Sequence, residues 1–399
     1  MENIAELKKK IMELNPLAFF SPCGTHTLNL SGVEAAKCCP EAITFFGVVQ
    51  KCYVIFSSSP QCWEILLSKI GCSLHSTSET RWSAHVAAVK PFTAHLPGLV
   101  DAINELLESN IPPETVTDLK GIKTYITSFK GLLMASVWLK ILVPINMRNV
   151  ALQARNTTID AEVDNIASLL EDLQLLRENW QVILQECRIV ANNLGWNSDF
   201  PEESRTRSAV SSDLSPEENF KISVFYVILD SVIASIRRHF AATQRLNETF
   251  KFLWKYVDMP EDELKEAAGN FQKVYDRDVQ TEIVDEIIHL KSIHAANIKE
   301  NLSSPLLLLN KFAELNLSSL FPNLCIALRI FLTLPVTVAS SERSFSVLTR
   351  VKSHLRATMG QQRLVNLALL SIENRLARIL NYNDIIKDFA QKKARKAAM

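Results

Sequence analysis

The chain holds 399 residues, 47% of them apolar, and its 43 basic side chains equal its 43 acidic ones. A polypeptide of this length and apolar content can bury one large core or two to three modest ones, which excludes a chain too polar to fold. The balanced charge excludes an overall positive field that would hold nucleic acid by counterion release, so any such contact must be local.

Ten glycines, six tyrosines and short β-branched runs accompany long stretches of 3.6-residue periodicity, which predicts a mainly α protein. Residues 2–14 pattern as an amphipathic helix closed by Asn15-Pro16, and Leu17 to Phe20 form a brief apolar run suited to a buried strand. That strand is expected to deliver Cys23 and His26 to a helix start. Helical patterning resumes from about Thr27 to Lys37, then from Pro40 through Phe56 behind a proline at the first helical position. A Ser-Ser-Ser-Pro turn at 57–60 precedes a further helix, and residues 73–80 are a polar loop.

Helices then run almost unbroken to about Leu194, with breaks expected at Pro91, Pro97 and Pro112-Pro113. Ser168 to Leu194 reads as the longest, with core positions at Leu169, Leu173, Leu176, Trp180, Ile183 and Leu184. Asp160, Asp164 and Asp172 fall on helix faces in this region and are expected to be solvated. Ser198 to Asn219 has too few apolar groups to offset its chain entropy and is expected to be a mobile loop. Helices restart near Phe220, break at Asp258 to Asp262, and reopen at Ser303-Ser304-Pro305 before a small basic tail at Lys392, Lys393, Arg395 and Lys396.

Six of eight cysteines, Cys23, Cys38, Cys39, Cys52, Cys62 and Cys72, crowd into the first fifth of the chain. No secretory leader precedes them, so they read as reduced thiols in a chain that is not secreted. No apolar run is expected to reach the roughly 18 residues that a bilayer crossing needs. Cys23-x-x-His26 and Cys72-x-x-His75 together offer four zinc-type ligands, but a finger pairs Cys-x-x-Cys with a spaced His pair, and Pro22 and Gly24 put the first pair on a turn.

Ser340 to Glu373 sets Glu342 at the mouth of an amphipathic helix whose apolar stripe runs Phe345, Leu348, Val351, Leu355. Taken alone, Glu342 is a first-turn acid complementing the helix dipole. A second helix carries Leu364, Val365, Leu367, Ala368, Leu370 and Ile372 behind Arg363, a broad apolar face that either its own core or a partner must cover.

The Ser341-Glu342-Arg343-Ser344-Phe345-Ser346 run resembles the start of the C-terminal dimerisation region of hAT-family transposases. Pro22 to Leu30 (PCGTHTLNL) and Thr80-Arg81-Trp82 agree with that family in the same order, and Asn15 to Phe20 is similar to domesticated, transposon-derived vertebrate proteins of the zinc finger MYM-type 1 kind. The resemblance implies a remnant of an RNase H-like α/β core at 1–90, its first strands missing, a large all-helical insertion at 91–300, and the dimerisation region at 301–399. It makes Glu342 the third of three metal-binding acids and places Cys23 and His26 beside the active site. It also makes Arg81 and Trp82 a pair whose indole stacks on an extruded nucleotide, although a tryptophan here also suits a core anchor.

The family's first two acids have no counterpart ahead of Cys23, and one carboxylate holds magnesium poorly. The resemblance therefore implies no cofactor for this chain alone, with Mg2+ or Mn2+ only if other acids complete the set, and no autonomous transposase activity. What it leaves is association, with itself or other hAT-derived proteins, through Phe345, Leu348, Leu364, Val365, Leu367 and Leu370. The alternative is a part in metal-dependent DNA strand cleavage and transfer within a longer DNA-binding product. Nucleic acid is a weak partner expectation for this chain and a membrane is none; residence in the nucleus, or else the cytoplasm, follows from the family and the basic tail.

Overall fold

A computed structural model describes residues 2–19, 23–77, 82–154, 158–200, 214–294, 304–334, 345, 347–353, 356 and 358–391. The described residues are mainly helical and contain no strand. The strand expected at Leu17 to Phe20 is absent over its described part, where Leu17 lies in a turn and Ala18 and Phe19 are irregular. Asn15 supplies the reason, accepting the Leu17 N–H on its side chain at 3.0 Å and the Ala18 N–H on its carbonyl at 3.0 Å, while Phe20 lies outside the described residues. Among the described residues of 1–90 there is no strand, so a sheet of an RNase H-like remnant is not seen there.

The chain divides into two compact units, 1–337 and 338–399. In the first, α1 is Glu2–Leu14, α2 Gly24–Ala35, α3 Pro40–Phe56, α4 Pro60–Ile70, α5 Trp82–Ala94, α6 Leu96–Glu108, α7 Pro113–Thr127 and α8 Phe129–Leu152. Then come α9 Ile159–Glu178, α10 Trp180–Asn193, α11 Pro216–Phe220, a π-helical turn Lys221–Tyr226, and α12 Val227–Phe250. The unit closes with α13 Phe252–Lys255, α14 Glu261–Val274, α15 Ile283–Ile293, α16 Pro305–Glu314 and α17 Pro322–Leu332.

Local chemistry sets many of these boundaries. Prolines open α3, α4, α7, α11, α16 and α17, where the missing N–H is no loss. Ser59 and Ser128 cap α4 and α8 by accepting from Cys62 N and Gly131 N, and Ser215 with Glu218 forms a capping box at α11. That box lies inside the stretch expected to be a loop; residues 201–213 of it are outside the described set.

Two other expectations give way. Pro91 sits inside α5 without breaking it, and the long helix expected over Ser168 to Leu194 is cut at Asn179. The Asn179 amide side chain bonds back to the Leu175 carbonyl at 2.9 Å, ending α9 there and letting Trp180 turn into the core at 1% exposure.

Two apolar cores fill this unit. The first gathers side chains from Leu28 to Phe240, and the second takes Ile159 and residues from Leu246 to Phe331. One helix joins them: α12 gives Ile228, Leu229, Val232, Ile236 and Phe240 to the first and Leu246 and Phe250 to the second. Helix α8 is central to the first core, packing on α2, α3, α5, α7, α9 and α10, and is therefore apolar on nearly every side. Contrary to the sequence expectation, α8 and the run Pro216–Phe250 are long and apolar enough by length and composition to cross a membrane. Their most apolar windows are 61% and 50% buried within the fold, so the interior accounts for much of that composition.

In the second unit residue 345 and residues 347–351 are helical, followed by α18 Gln361–Ile372, α19 Asn374–Ile379 and α20 Asn383–Gln391. The basic tail at 392–399 lies outside the described residues.

Candidate functional site

Cys23 is the residue before α2, with φ −61° and ψ 119°, and its carbonyl accepts the Thr27 N–H at 2.9 Å. This register leaves Cys23 half-buried, sends Gly24 and Thr25 into the protein and leaves His26 exposed. Gly24 is demanded by a close approach: a Cβ there would stand 2.1 Å from Glu162 Oε1 and 3.4 Å from Leu152 Cδ1.

Glu162 is the residue that sequence reasoning missed. Its exposure is 0%, neither carboxyl oxygen has a hydrogen-bond partner among the described residues, and burial pushes its pKa up to about 8. The signal was present in the spacing, because Ile159, Glu162, Ile166, Leu169 and Leu173 form one buried stripe of α9, with the acid at a core position. Asp160 corrects the expectation of solvated aspartates: it is 7% exposed, and burial raises its pKa against the pull of its bonds to Thr158 and the local backbone. Asp164 is mostly exposed and 3.9 Å from Lys255, while Asp172 pairs with Arg148 at 2.7 Å.

Trp82 is 1% exposed and lies flat on α2, where a Cβ on Gly32 would come within 2.2 Å of its ring. His85 stacks on it at 4.5 Å, Phe46 and Trp138 meet it at 6.0 Å, and its backbone N–H donates to Asn29 Oδ1 at 3.0 Å. In this conformation the indole is a core anchor and offers no face to a base. Arg81 and Glu342 lie outside the described residues.

At the other end of α2, Glu34 binds α12, accepting from Ser235 Oγ at 2.5 Å and from Arg238, with His239 Nε2 at 3.3 Å from its other oxygen. Burial opposes ionisation, but hydrogen bonds from Ser235 and His239 and the Arg238 charge hold its carboxyl below the usual range. The Cys23–His26 and Cys72–His75 pairs do not assemble. Among the described residues, which do not include Glu342, no three His, Cys, Asp or Glu side chains converge to hold a metal ion.

The apolar residues expected to mediate association divide sharply. Leu364 is buried at 8% and Leu348 and Leu367 are half-buried, whereas Phe345, Val365 and Leu370 are 67%, 47% and 51% exposed. Leu369, Ile372, Ile379, Ile385, Ile386 and Phe389 extend the exposed apolar surface along α18 to α20. By contrast Leu308, Phe312, Leu324, Leu328 and Phe331 of α16 and α17 are spent on the second core.

Residues 290–376 match the family model for the hAT family C-terminal dimerisation region, a span from the end of α15 into α19. No solved structure matches the chain.

Proposed function

We propose that this protein is a transposase-derived chain that works by associating, through its C-terminal region, with a second copy or with a related hAT-derived chain. The observation that carries the reading is a coincidence within 290–376: the stretch that matches a dimerisation region also leaves Val365, Leu369, Leu370 and Ile372 of one short helix about half exposed. Contiguous apolar surface of this kind gains free energy when a partner removes it from water. Light scattering on the purified chain tests this; a dimer at micromolar concentration is the expected result, and a strict monomer at tens of micromolar removes the proposal.

The same reading holds that the chain alone cuts no DNA and needs no metal of its own. It is supported by the sequence matching one of three required acids, Glu342, and by the burial of Trp82, which favours packing over base stacking. Incubation with hairpin-ended DNA and Mn2+ is expected to give no product. Cleavage that disappears in Glu342→Gln would instead establish the enzyme. Nuclear residence and descent from an RNase H-like core belong to this proposal as well, on the family likeness.

A further inference from the structure

Between α5 and the segment Cys72 to Ser76 runs a groove that the sequence opens by keeping side chains small. Ser83, Ala87, Lys90 and Ala94 fall at i, i+4, i+7 and i+11, so they share the outward stripe of α5, and all four are exposed. Three of them are small, which leaves Lys90 as the one long side chain of that stripe. The facing wall is anchored by Leu74, which is 4% exposed, and by Thr77, whose N–H and Oγ1 both donate to Gln50 Oε1 at 2.8 Å. Further along stand Tyr53 of α3 and Trp63 of α4, both half-buried, edge to face with ring centroids 6.3 Å apart. Three adjoining hollows follow this line. One of about 660 Å³ holds Lys90, His95 and Asn146, and one of about 460 Å³ runs from His75 past Ala84 and Ala87 to the aromatic pair. The last, of about 400 Å³, shares that pair with the turn Ser57 to Pro60.

The wall of this groove has backbone to offer. From Cys72 to Ser76 no backbone N–H or C=O is hydrogen-bonded among the described residues, and Ser73 and His75 are exposed on either side of the buried Leu74, the alternation of a strand. Such a row pairs with a second extended chain, whose backbone supplies affinity while its alternate side chains are read by hollows. The α5 stripe from Ser83 to Ala94 is about 16 Å long, the span of about five extended residues. Hollows that succeed one another along a helix suit a chain better than a compact ligand. The charge is one-sided as well: the described lining includes Lys90, His75 and His95 but no carboxylate, and Lys90 makes no ion pair among the described residues. We propose that this groove binds an extended, acidic peptide segment of a partner protein, its backbone paired with Ser73 to Ser76, a carboxylate on Lys90 and an apolar side chain against Tyr53 and Trp63. The site lies in the first unit and stands apart from association through the C-terminal region.

Random peptides displayed on phage, selected against the full chain, test this, with the strongest binder synthesised and labelled for fluorescence polarisation. Enriched sequences are expected to carry Asp or Glu with an apolar residue nearby. Lys90→Glu changes an exposed side chain and leaves the core alone. It is expected to weaken that peptide at least about tenfold with an unchanged circular dichroism spectrum, and replacing the peptide's acidic residue by Lys should restore binding to the variant. Trp63→Ala, checked for helical content in the same way, should weaken it too. Methylating the peptide's amide nitrogens one at a time reads the backbone pairing, with loss expected at alternate positions. Enrichment of no peptide or of basic ones, equal affinity for the parent and Lys90→Glu, or methylation that costs nothing at any position overturns the proposal. So does a single-stranded oligonucleotide that binds through Lys90 where no peptide does.

Discussion

A glutamate at a core position of an amphipathic helix is tolerated in one of two ways: donors are brought to it, or it keeps its proton. Glu286 of α15 illustrates the first, accepting from Asn323 N, Asn323 Nδ2 and Leu324 N at 3.3, 2.6 and 2.9 Å, so that one helix supplies the cap for the start of α17. Glu286→Ala strands those N–H groups and is expected to cost about 3 kcal/mol in urea unfolding. Glu162 illustrates the second. Its pKa rises from an ordinary 4.5 to about 8, so between those values the folded chain holds a proton that the unfolded chain has lost. Stability therefore falls as pH rises through that window. Glu162→Gln is expected to flatten the slope and to be the more stable protein at pH 9, by on the order of 3 kcal/mol once water reaching the ionised group is allowed for. Equal urea midpoints for the two proteins at pH 6 and pH 9 would refute this.

Among the helices, the boundaries set by a residue's own neighbours could be read in advance: the prolines opening α3 and α7, the end of α1 at Asn15-Pro16, the apolar face of α18. Those set by distant packing could not. Pro91 stays within α5 although proline ordinarily ends a helix, and no local residue announces that Trp82 will lie on Gly32, 50 positions earlier in the chain. Nor does a first-turn acid such as Glu162 look buried unless its place in the α9 stripe is counted. The α2–α5 contact gives a paired test. Gly32→Ala drives a methyl into a rigid indole and is expected to destabilise by about 3 kcal/mol. Gly47→Ala, in the middle of α3 with open space around it, is expected to stabilise by about 0.5–1 kcal/mol. Thermal melts of the two variants should move in opposite directions.

For the molecule as a whole, both apolar cores are complete within residues 1–337, while the exposed apolar side chains of α18 to α20 belong to the second unit. A double substitution Leu369→Asp and Leu370→Asp is thus expected to weaken association at least about tenfold in sedimentation equilibrium without changing the helical content by circular dichroism. A variant that associates as well as the parent would move the interface elsewhere. The neutral carboxyl at Glu162 also reaches beyond its own neighbourhood. Since the folded chain at pH 7 carries close to one proton there that the open chain releases, melting the protein hands that proton to the solvent. The heat absorbed in a calorimeter should then depend on which buffer receives it, this proton contributing nearly the difference between the ionisation heats of phosphate and Tris, and that contribution should be lost in Glu162→Gln.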